Sequence, residues 1–359
     1  MIGIRSYGIA LPYLRLPVEE TLKCWRNSNL EFIKNNIGVA RRTVTSNDED
    51  VLTLSFDSLN NALGASNFNP EDIEAIILGS STVSDLFKSN ANQLLSFFTN
   101  KTEYIGFDVQ ASENSGMNAL ICAYSLIKSG QINNAVAVGT DLLNRHIFPS
   151  ELRESYMGAG SGTFILSNEN VIAKILMISN SNSSFPEQGR PEDDRFIRVI
   201  APLNTNVIEE GIIKRMVEAI ELVCRKAEIE LSDVDYFAFS QNGSQFPNLI
   251  SEKLKIDKEK VTNSIFSKDT GDTGAASPLI SLSFVLNHVN EENKKILLCG
   301  YGHSSGATAV LLETTKLISQ FKKPNLNKIL MNGKNITYEE AMKVEHKYVQ
   351  PDIALNTYL

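Results

Sequence analysis

The side chains that most often do chemistry in proteins, cysteine and histidine, are few and widely spaced in this chain. Its four cysteines form no CxxC pair, and no two of its four histidines lie at the spacing of metal ligands. Scattered cysteines are typical of a reduced intracellular protein, and a structural metal site is not expected. The residues are Cys24, Cys122, Cys224, Cys299, His146, His288, His303 and His346.

Polar side chains also stand next to glycine in four predicted loops. In residues 108–117, DVQASENSGM, a predicted strand ends and a predicted helix begins, which puts Glu113 at a helix N-terminus. Three further loops have a similar character: FSQNGSQFP at 239–247, TGDTGAAS at 270–277 and GYGHSSGA at 300–307.

Composition limits the classes of function. The 359 residues suffice for two ordinary domains or one duplicated unit. A formal net charge of −8 argues against nucleic acid as a main partner. The N-terminal residues 1–5 are typical of a strand and not of a signal peptide, and no apolar run approaches the ~20 residues that span a bilayer. We therefore expect a cytoplasmic protein without membrane contact.

The chain contains an internal repeat at a constant offset. Three pairs of features lie 161 positions apart: Asp72 with Asp233 before apolar runs, Gly139 with Gly300 at the ends of apolar runs, and predicted helix starts at 115–116 and 276–277. The repeat predicts two copies of one βαβ-containing unit.

The predicted boundaries are an N-terminal half at 1–170, a C-terminal half at 171–325 and an extension at 326–359. Each half has a helix that is apolar on all sides, at 117–127 and 278–286, and such helices are expected to be buried. The extension either packs on the core or acts as a partner-binding arm.

The repeat and the loops together resemble the thiolase superfamily, and within it ketoacyl synthase III and HMG-CoA synthase. Residues 108–117 are similar to the strand-to-helix elbow that carries the family's nucleophilic cysteine. Residues 239–247 resemble its histidine loop, 270–277 its Gly-Asn-Thr loop and 300–307 its closing glycine-rich turn. The resemblance covers about residues 1–320. It implies an α/β, duplicated thiolase-like fold with αβαβα layers and two buried central helices.

The resemblance also implies partners. Residues 348–359 are similar to the end of the HMG-CoA-synthase-like subunit of the phloroglucinol acetyltransferase complex, and Phe246-Pro247 resembles archaeal HMG-CoA synthase. Both relatives work beside a thiolase and a small OB-fold protein, so we expect those partners and a homodimer formed through the edge strand beside the elbow helix. No cofactor is expected except a CoA thioester, and the sequence leaves open whether CoA binds.

All four positions that correspond to the family's catalytic residues are changed. Glu113 stands at the cysteine position, Ser240 at the histidine and Asp272 at the asparagine. Ser81 stands where HMG-CoA synthases have a general-acid glutamate. Attack of a carboxylate on a thioester gives an unfavourable mixed anhydride, and serine is not a base near pH 7. We therefore predict no catalytic residue.

Other residues do not replace the missing nucleophile. Cys122 lies nine residues beyond Glu113, half a turn around the helix, and is expected to be a buried structural thiol. Ser112 has no histidine to activate it, and Cys299 lies in a predicted buried strand. His303 lies in the glycine-rich turn near the predicted pocket, where an ordinary loop histidine is favoured over a catalytic one.

Two hypotheses of function remain open. In the first, the chain is an HMG-CoA-synthase-like subunit of an acyltransferase complex, non-catalytic or scaffolding, and a partner thiolase supplies the cysteine. In the second, it is a stand-alone thioester-processing enzyme, a decarboxylase, hydrolase or acyltransferase, that uses Glu113 and Asp272 as a carboxyl pair with one raised pKa. The simpler interpretation is that both carboxylates bond neighbouring backbone, with Glu113 capping its helix.

A true synthase with a misaligned nucleophile is disfavoured. The offset of 161 residues aligns Gly116 with Ser277 and keeps the elbow where it is placed here.

Overall fold

The strands and helices alternate through most of the chain in this computed structural model, which describes residues 1–25, 29–201, 206 and 208–348. The strands are β1 (Gly3–Ala10), β2 (Leu14–Pro17), β3 (Arg41–Val44), β4 (Ala75–Gly79), β5 (Ile105–Val109), β6 (Asn134–Leu142), β7 (Ala159–Ser167), β8 (Ala173–Asn182), β9 (Gln188–Gly189), β10 (Arg198–Val199), β11 (Tyr236–Phe239), β12 (Lys295–Gly302), β13 (Gly306–Thr314) and β14 (Lys334–Asn335).

The α-helices are α1 (Val18–Cys24), α2 (Val51–Ser66), α3 (Asn90–Ser96), α4 (Ser115–Lys128), α5 (Lys214–Ala227), α6 (Phe246–Leu254), α7 (Glu259–Thr262), α8 (Ser277–His288), α9 (Leu326–Met331) and α10 (Tyr338–Val344). Shorter helical turns that border the site are Phe32–Ile37, Leu152–Ser155, Ile208–Ile213 and Gly274–Ala276.

Nine strands form one sheet in the order β11-β12-β13-β8-β1-β7-β6-β4-β5. The order β1-β7-β6-β4 matches the order β8-β13-β12-β11, and the two sets meet where β1 pairs antiparallel with β8. The internal repeat therefore appears as two copies of one strand order. The domain limits at residues 170 and 325 stay predictions, since one continuous sheet joins the two halves.

The side chains of the sheet alternate between two cores. In β4, Ala75 and Ile77 pack in a core that contains α4 and α8, whereas Ile76 and Leu78 pack with α2. The core that contains α4 and α8 also includes strand residues from both halves of the chain. These two helices therefore form a middle layer, with strands of the two halves on either side. Because α2 and α5 cover the outer faces of the sheet, the layers are those of a mixed α/β thiolase-like fold.

The two central helices differ in burial, which corrects the expectation that both are buried on all sides. In α8, residues 277–283 are all buried, but in α4 Ser125 is exposed and Cys122 is only partly buried. The difference arises because α4 lies beside β5, the last strand of the sheet. The helices meet at their starts, where a Cβ on Gly116 would lie 2.1 Å from the Ala275 carbonyl oxygen.

Within the described ranges, none of the helices combines the length and the apolar character that crossing a membrane requires.

Candidate active-site cleft

The elbow between β5 and α4 places Glu113 at the start of a central helix. Ser112 has a φ of +53°, in the left-handed region that residues other than glycine seldom adopt. The Ser115 hydroxyl fixes this turn because it accepts a hydrogen bond from the Ala111 N–H at 2.8 Å and donates one to the Ser112 carbonyl at 2.5 Å. A strained backbone held by its neighbours is a feature of functional sites.

The carboxylate of Glu113 is held by His303. The backbone N–H of His303 donates to Oε2 at 2.9 Å, and the ring Nδ1 lies 3.2 Å from Oε1. Burial acts to raise the pKa of Glu113, but the charge and hydrogen bonds of His303 and a bond from the Ser112 hydroxyl lower it to about 2. Burial acts to lower the pKa of His303, yet Glu113 raises it above its usual value. Glu113 is buried and His303 is partly buried, and each side chain favours the charged form of the other.

This arrangement changes two expectations. Asn114, not Glu113, is the N-cap residue of α4, and no side chain caps that helix. The Glu113 carboxylate does bond backbone, but the N–H is that of His303, which is 190 positions away. His303, expected to be an ordinary loop histidine, is the direct partner of Glu113.

The turn that carries His303 is fixed by hydrogen bonds to the buried carboxylate of Glu187. The backbone N–H of Ser304, whose φ is +57°, donates to Glu187 Oε2 at 2.8 Å, and the Tyr301 hydroxyl bonds the same oxygen. The Tyr301 ring packs edge-on against the His303 ring, with 5.6 Å between centroids. Glu187 was missed from sequence, and its segment contains no motif that would have revealed it.

Asp272 lies on the far side of the cleft. Its Oδ1 accepts a hydrogen bond from the Gly274 N–H at 2.8 Å, and its backbone pairs with Tyr156 and Gly158. Burial raises the pKa of Asp272 to about 7, and the negative charge of Glu113 acts in the same direction. Asp272 therefore changes charge near neutral pH, while Glu113 stays ionised.

Three of the four predicted positions share this cleft. Glu113, Ser240 and Asp272 line it together with His303. The Ser240 hydroxyl follows β11 and accepts the Tyr301 N–H at 3.0 Å. The cleft volume is about 10 Å³, near the minimum that one water molecule requires.

Ser81 does not line the cleft. Its N–H and hydroxyl bond the two carboxylate oxygens of Asp141 at 2.7 and 3.0 Å. Asp141 also accepts hydrogen bonds from Ser80, Thr82 and the Ala275 N–H, so it ties the loop after β4 to the start of α8. Its position just after the apolar part of β6 is the one signal in the sequence that marks it.

None of the four cysteines lines the cleft. Cys299 is fully buried in β12, and burial raises its pKa far above the usual range. Burial likewise raises the pKa of Cys122, which is only partly buried.

A larger pocket adjoins the cleft, and Ile212 and Asn242 line both. Its volume is about 530 Å³, within the size range of ligand sites. Its walls combine apolar side chains with carboxamides: Phe32, Ile37, Leu152, Tyr156, Ile208, Phe246 and Leu249 with Asn35, Asn36, Gln245 and Asn248. We call this the entrance pocket.

Known proteins resemble this chain along most of its length. Residues 224–314 match the family of the 3-oxoacyl-[acyl-carrier-protein (ACP)] synthase III C terminal. The hydroxymethylglutaryl-CoA synthase of Thermoplasma volcanium is 26% identical over 359 residues, which cover 98% of this chain and 99% of that protein.

Solved structures share the fold. The 3-oxoacyl-[acyl-carrier-protein] synthase III of Aquifex aeolicus has a TM-score of 0.78 at 25% identity, over 87% of this chain and all (100%) of that one. The HMG synthase of the curacin biosynthetic pathway, solved in complex with an acetyl donor-ACP, has a TM-score of 0.83 at 15% identity, over 96% of this chain and 88% of that one. The chain therefore has the mixed α/β, thiolase-like fold of these structures, and it is similar to HMG-CoA synthases and, over residues 224–314, to ketoacyl synthase III.

Proposed function

We propose that this chain is a supporting subunit of an acyltransferase complex and forms no acyl-enzyme itself. The observation that carries the proposal is the state of Glu113. An ionised carboxylate, fixed by two contacts with His303, stands at the start of α4 where acyl transfer would need a thiolate. With the Glu113 side chain in place, the adjoining space of about 10 Å³ is too small for an acyl group.

Two features support a role beside an acyl-transferring partner. The chain is similar to HMG-CoA synthases over nearly its whole length, and their names state an acyl-CoA product. The entrance pocket next to the cleft is large enough for part of a thioester arm. The chain would supply an interface and a wall of an acyl channel, and it would need no cofactor apart from a bound CoA or carrier-protein thioester.

The proposed partners rest on the resemblance of the sequence. They are a thiolase that supplies the cysteine, a small OB-fold protein and a second copy of this chain. The specific proposal is the role of the HMG-CoA-synthase-like subunit in an assembly such as the phloroglucinol acetyltransferase complex. The C-terminal similarity behind it, from residue 349 onward, lies outside the described residues. Nucleic acid and membrane are not proposed as partners, and the proposed location is the cytoplasm.

The test is a pull-down from the native host with this chain as bait, followed by mass spectrometry. We expect to recover a thiolase with an intact cysteine and an OB-fold protein. We also expect the same partners with Glu113→Gln, because glutamine still accepts the His303 N–H and the interface is unchanged. Recovery of the chain alone, together with unaided turnover of an acyl-CoA by the purified protein, would contradict the proposal.

A second function is supported by one observation, the pKa of Asp272, which burial and Glu113 raise to about 7. A carboxylic acid that is partly protonated at neutral pH, in the same cleft as an ionised carboxylate, can donate and accept a proton. This would suit decarboxylation or hydrolysis of a bound acyl group. In that case Glu113→Gln abolishes turnover, whereas under the first proposal the wild-type chain shows no turnover to lose.

A further inference from the structure

The segment from β14 to Tyr348, residues 334–348, is anchored to the protein by buried charges, and we call it the C-terminal strap. The carboxylate of Glu345 faces both Arg42 and Lys347, with Arg42 Nη2 at 3.2 Å and Lys347 Nζ at 3.0 Å. All three side chains are 0% exposed. Asn144 Nδ2 adds a hydrogen bond to Glu345 Oε1 at 3.1 Å.

The network continues from Lys347 to Glu154. Lys347 Nζ lies 3.3 Å from Glu154 Oε1, and the Tyr338 hydroxyl lies 3.1 Å from Glu154 Oε2. The indole N–H of Trp25, the one tryptophan of the chain, donates to the Tyr338 hydroxyl oxygen at 2.8 Å. Two cations and two anions thus balance one another inside the protein, and removal of any one leaves an uncompensated buried charge.

At its Glu154 end, the network adjoins the wall of the entrance pocket and the backbone that bonds Asp272. Glu154 belongs to the turn Leu152–Ser155, directly before Tyr156, and Leu152 and Tyr156 line the entrance pocket. The Asp272 N–H donates to the Tyr156 carbonyl at 2.8 Å, and the Gly158 N–H donates to the Asp272 carbonyl at 2.7 Å.

Arg42 approaches the same loop from β3. A Cβ on Gly271, whose φ is +69°, would lie 3.1 Å from the Arg42 Cβ, and the Thr43 N–H donates to the Thr270 carbonyl at 2.9 Å. The strap therefore contacts two segments that bond the loop of Asp272, which are β3 and the turn before Tyr156.

We propose that Glu345 and Lys347 are positioning residues of the cleft, and that the C-terminal strap fixes Asp272 and the Leu152–Tyr156 wall of the entrance pocket. Neither residue touches the cleft, so each acts through Arg42 and Glu154. This role of the strap does not depend on the supporting function proposed above. Its test uses the purified full-length chain without partner or turnover, so the two can fail separately.

The first measurement is hydrogen exchange of the Gly158 and Asp272 amides in Lys347→Met. We expect both to exchange roughly tenfold faster or more, because a buried Glu154–Glu345 pair without its cation rearranges. Lys347→Arg should restore the wild-type rates. Lys174→Met, which breaks the partly exposed Lys174–Glu313 pair on the sheet, is the matched control and should leave both amides unchanged.

Two further readouts separate positioning from general destabilisation. In Lys347→Met, the fluorescence of Trp25 should change with the strap, and the NMR-measured pKa of Asp272 should fall toward its ordinary value as water enters. Tyr338→Phe is a milder change that removes the hydroxyl shared by Glu154 and Trp25, and it should produce smaller shifts of amide exchange and of the Asp272 pKa in the same direction if Lys347→Met fails to fold. Wild-type exchange at Gly158 and Asp272 with an altered Trp25 signal, or equally faster exchange throughout the sheet, would overturn the proposal.

Discussion

Asp272→Asn is expected to stabilise the protein above pH 7 and to leave its stability unchanged below about pH 4. The pKa of Asp272 rises from 3.8 to about 7 on folding. Between these values the folded state holds a proton that the unfolded state has released, so stability falls as pH rises. Asparagine cannot ionise, and its side-chain oxygen can still accept the Gly274 N–H.

The expected gain at pH 8 is up to about 4 kcal/mol, from roughly 1.4 kcal/mol per pKa unit. Urea unfolding of both proteins between pH 4 and pH 8 measures it. Asp194→Asn is a control of opposite sign, because Arg198 and the Phe196 N–H lower the pKa of Asp194, and that substitution should destabilise at neutral pH. If the free energy of unfolding changes with pH in the same way for Asp272→Asn and for wild type, the prediction is wrong. Asp272 would then be ionised and accessible to water in the folded protein.

The repeated architecture and the loops around the cleft were predictable from the sequence because both depend on local patterns. A buried strand next to a glycine-containing turn has a recognisable composition, and a constant offset of 161 residues relates the copies. The elbow at Glu113 and the loop at Asp272 were identified by the resemblance of residues 108–117 and 270–277 to known motifs, and the structure brings both to one cleft.

The partner of Glu113 was not predictable, because it is supplied from a distant part of the chain, and the same holds for the residue that fixes the turn of His303. His303 bonds Glu113 across 190 positions, and Glu187 bonds the Ser304 turn across 117. Neither partner lies at a motif spacing that relates it to its target. The prediction that Glu113 caps α4 was wrong for the same reason. The Glu113 carboxylate bonds the N–H of His303, from a distant turn, and not the N–H groups of its own helix.

The burial of charged residues in the C-terminal strap could not be predicted from composition either. Residues such as Glu345 and Lys347 are normally exposed, and the sequence around them is strongly polar. Their burial becomes intelligible only when Arg42 and Glu154 are seen beside them, because a charge enters a protein interior when its counter-ions enter with it.

Placing at these three positions the side chains that the resemblance to ketoacyl synthases implies, by Glu113→Cys, Ser240→His and Asp272→Asn together, is expected to create a covalent acyl-accepting site. A thiol at position 113 stands at the N-terminus of α4, where the helix dipole favours the thiolate. Loss of the Glu113 carboxylate also frees the His303 N–H, now 2.9 Å from Oε2, to bind a developing oxyanion. Intact mass spectrometry after incubation with acetyl-CoA should find about one acetyl group per chain, and none on wild type.

The control carries Glu113→Ala with the same two other substitutions, and it should remain unmodified because only the nucleophile differs. Acetylation of wild type would mean that this chain has a nucleophile of its own, which would end the case for a supporting subunit. A folded cysteine variant that stays unmodified would mean instead that acetyl-CoA does not reach position 113 through the entrance pocket. Acetylation of wild type concerns the chemistry of the site, whereas an unmodified cysteine variant concerns access to position 113. The experiment therefore separates the absence of a nucleophile from the absence of a path for acetyl-CoA.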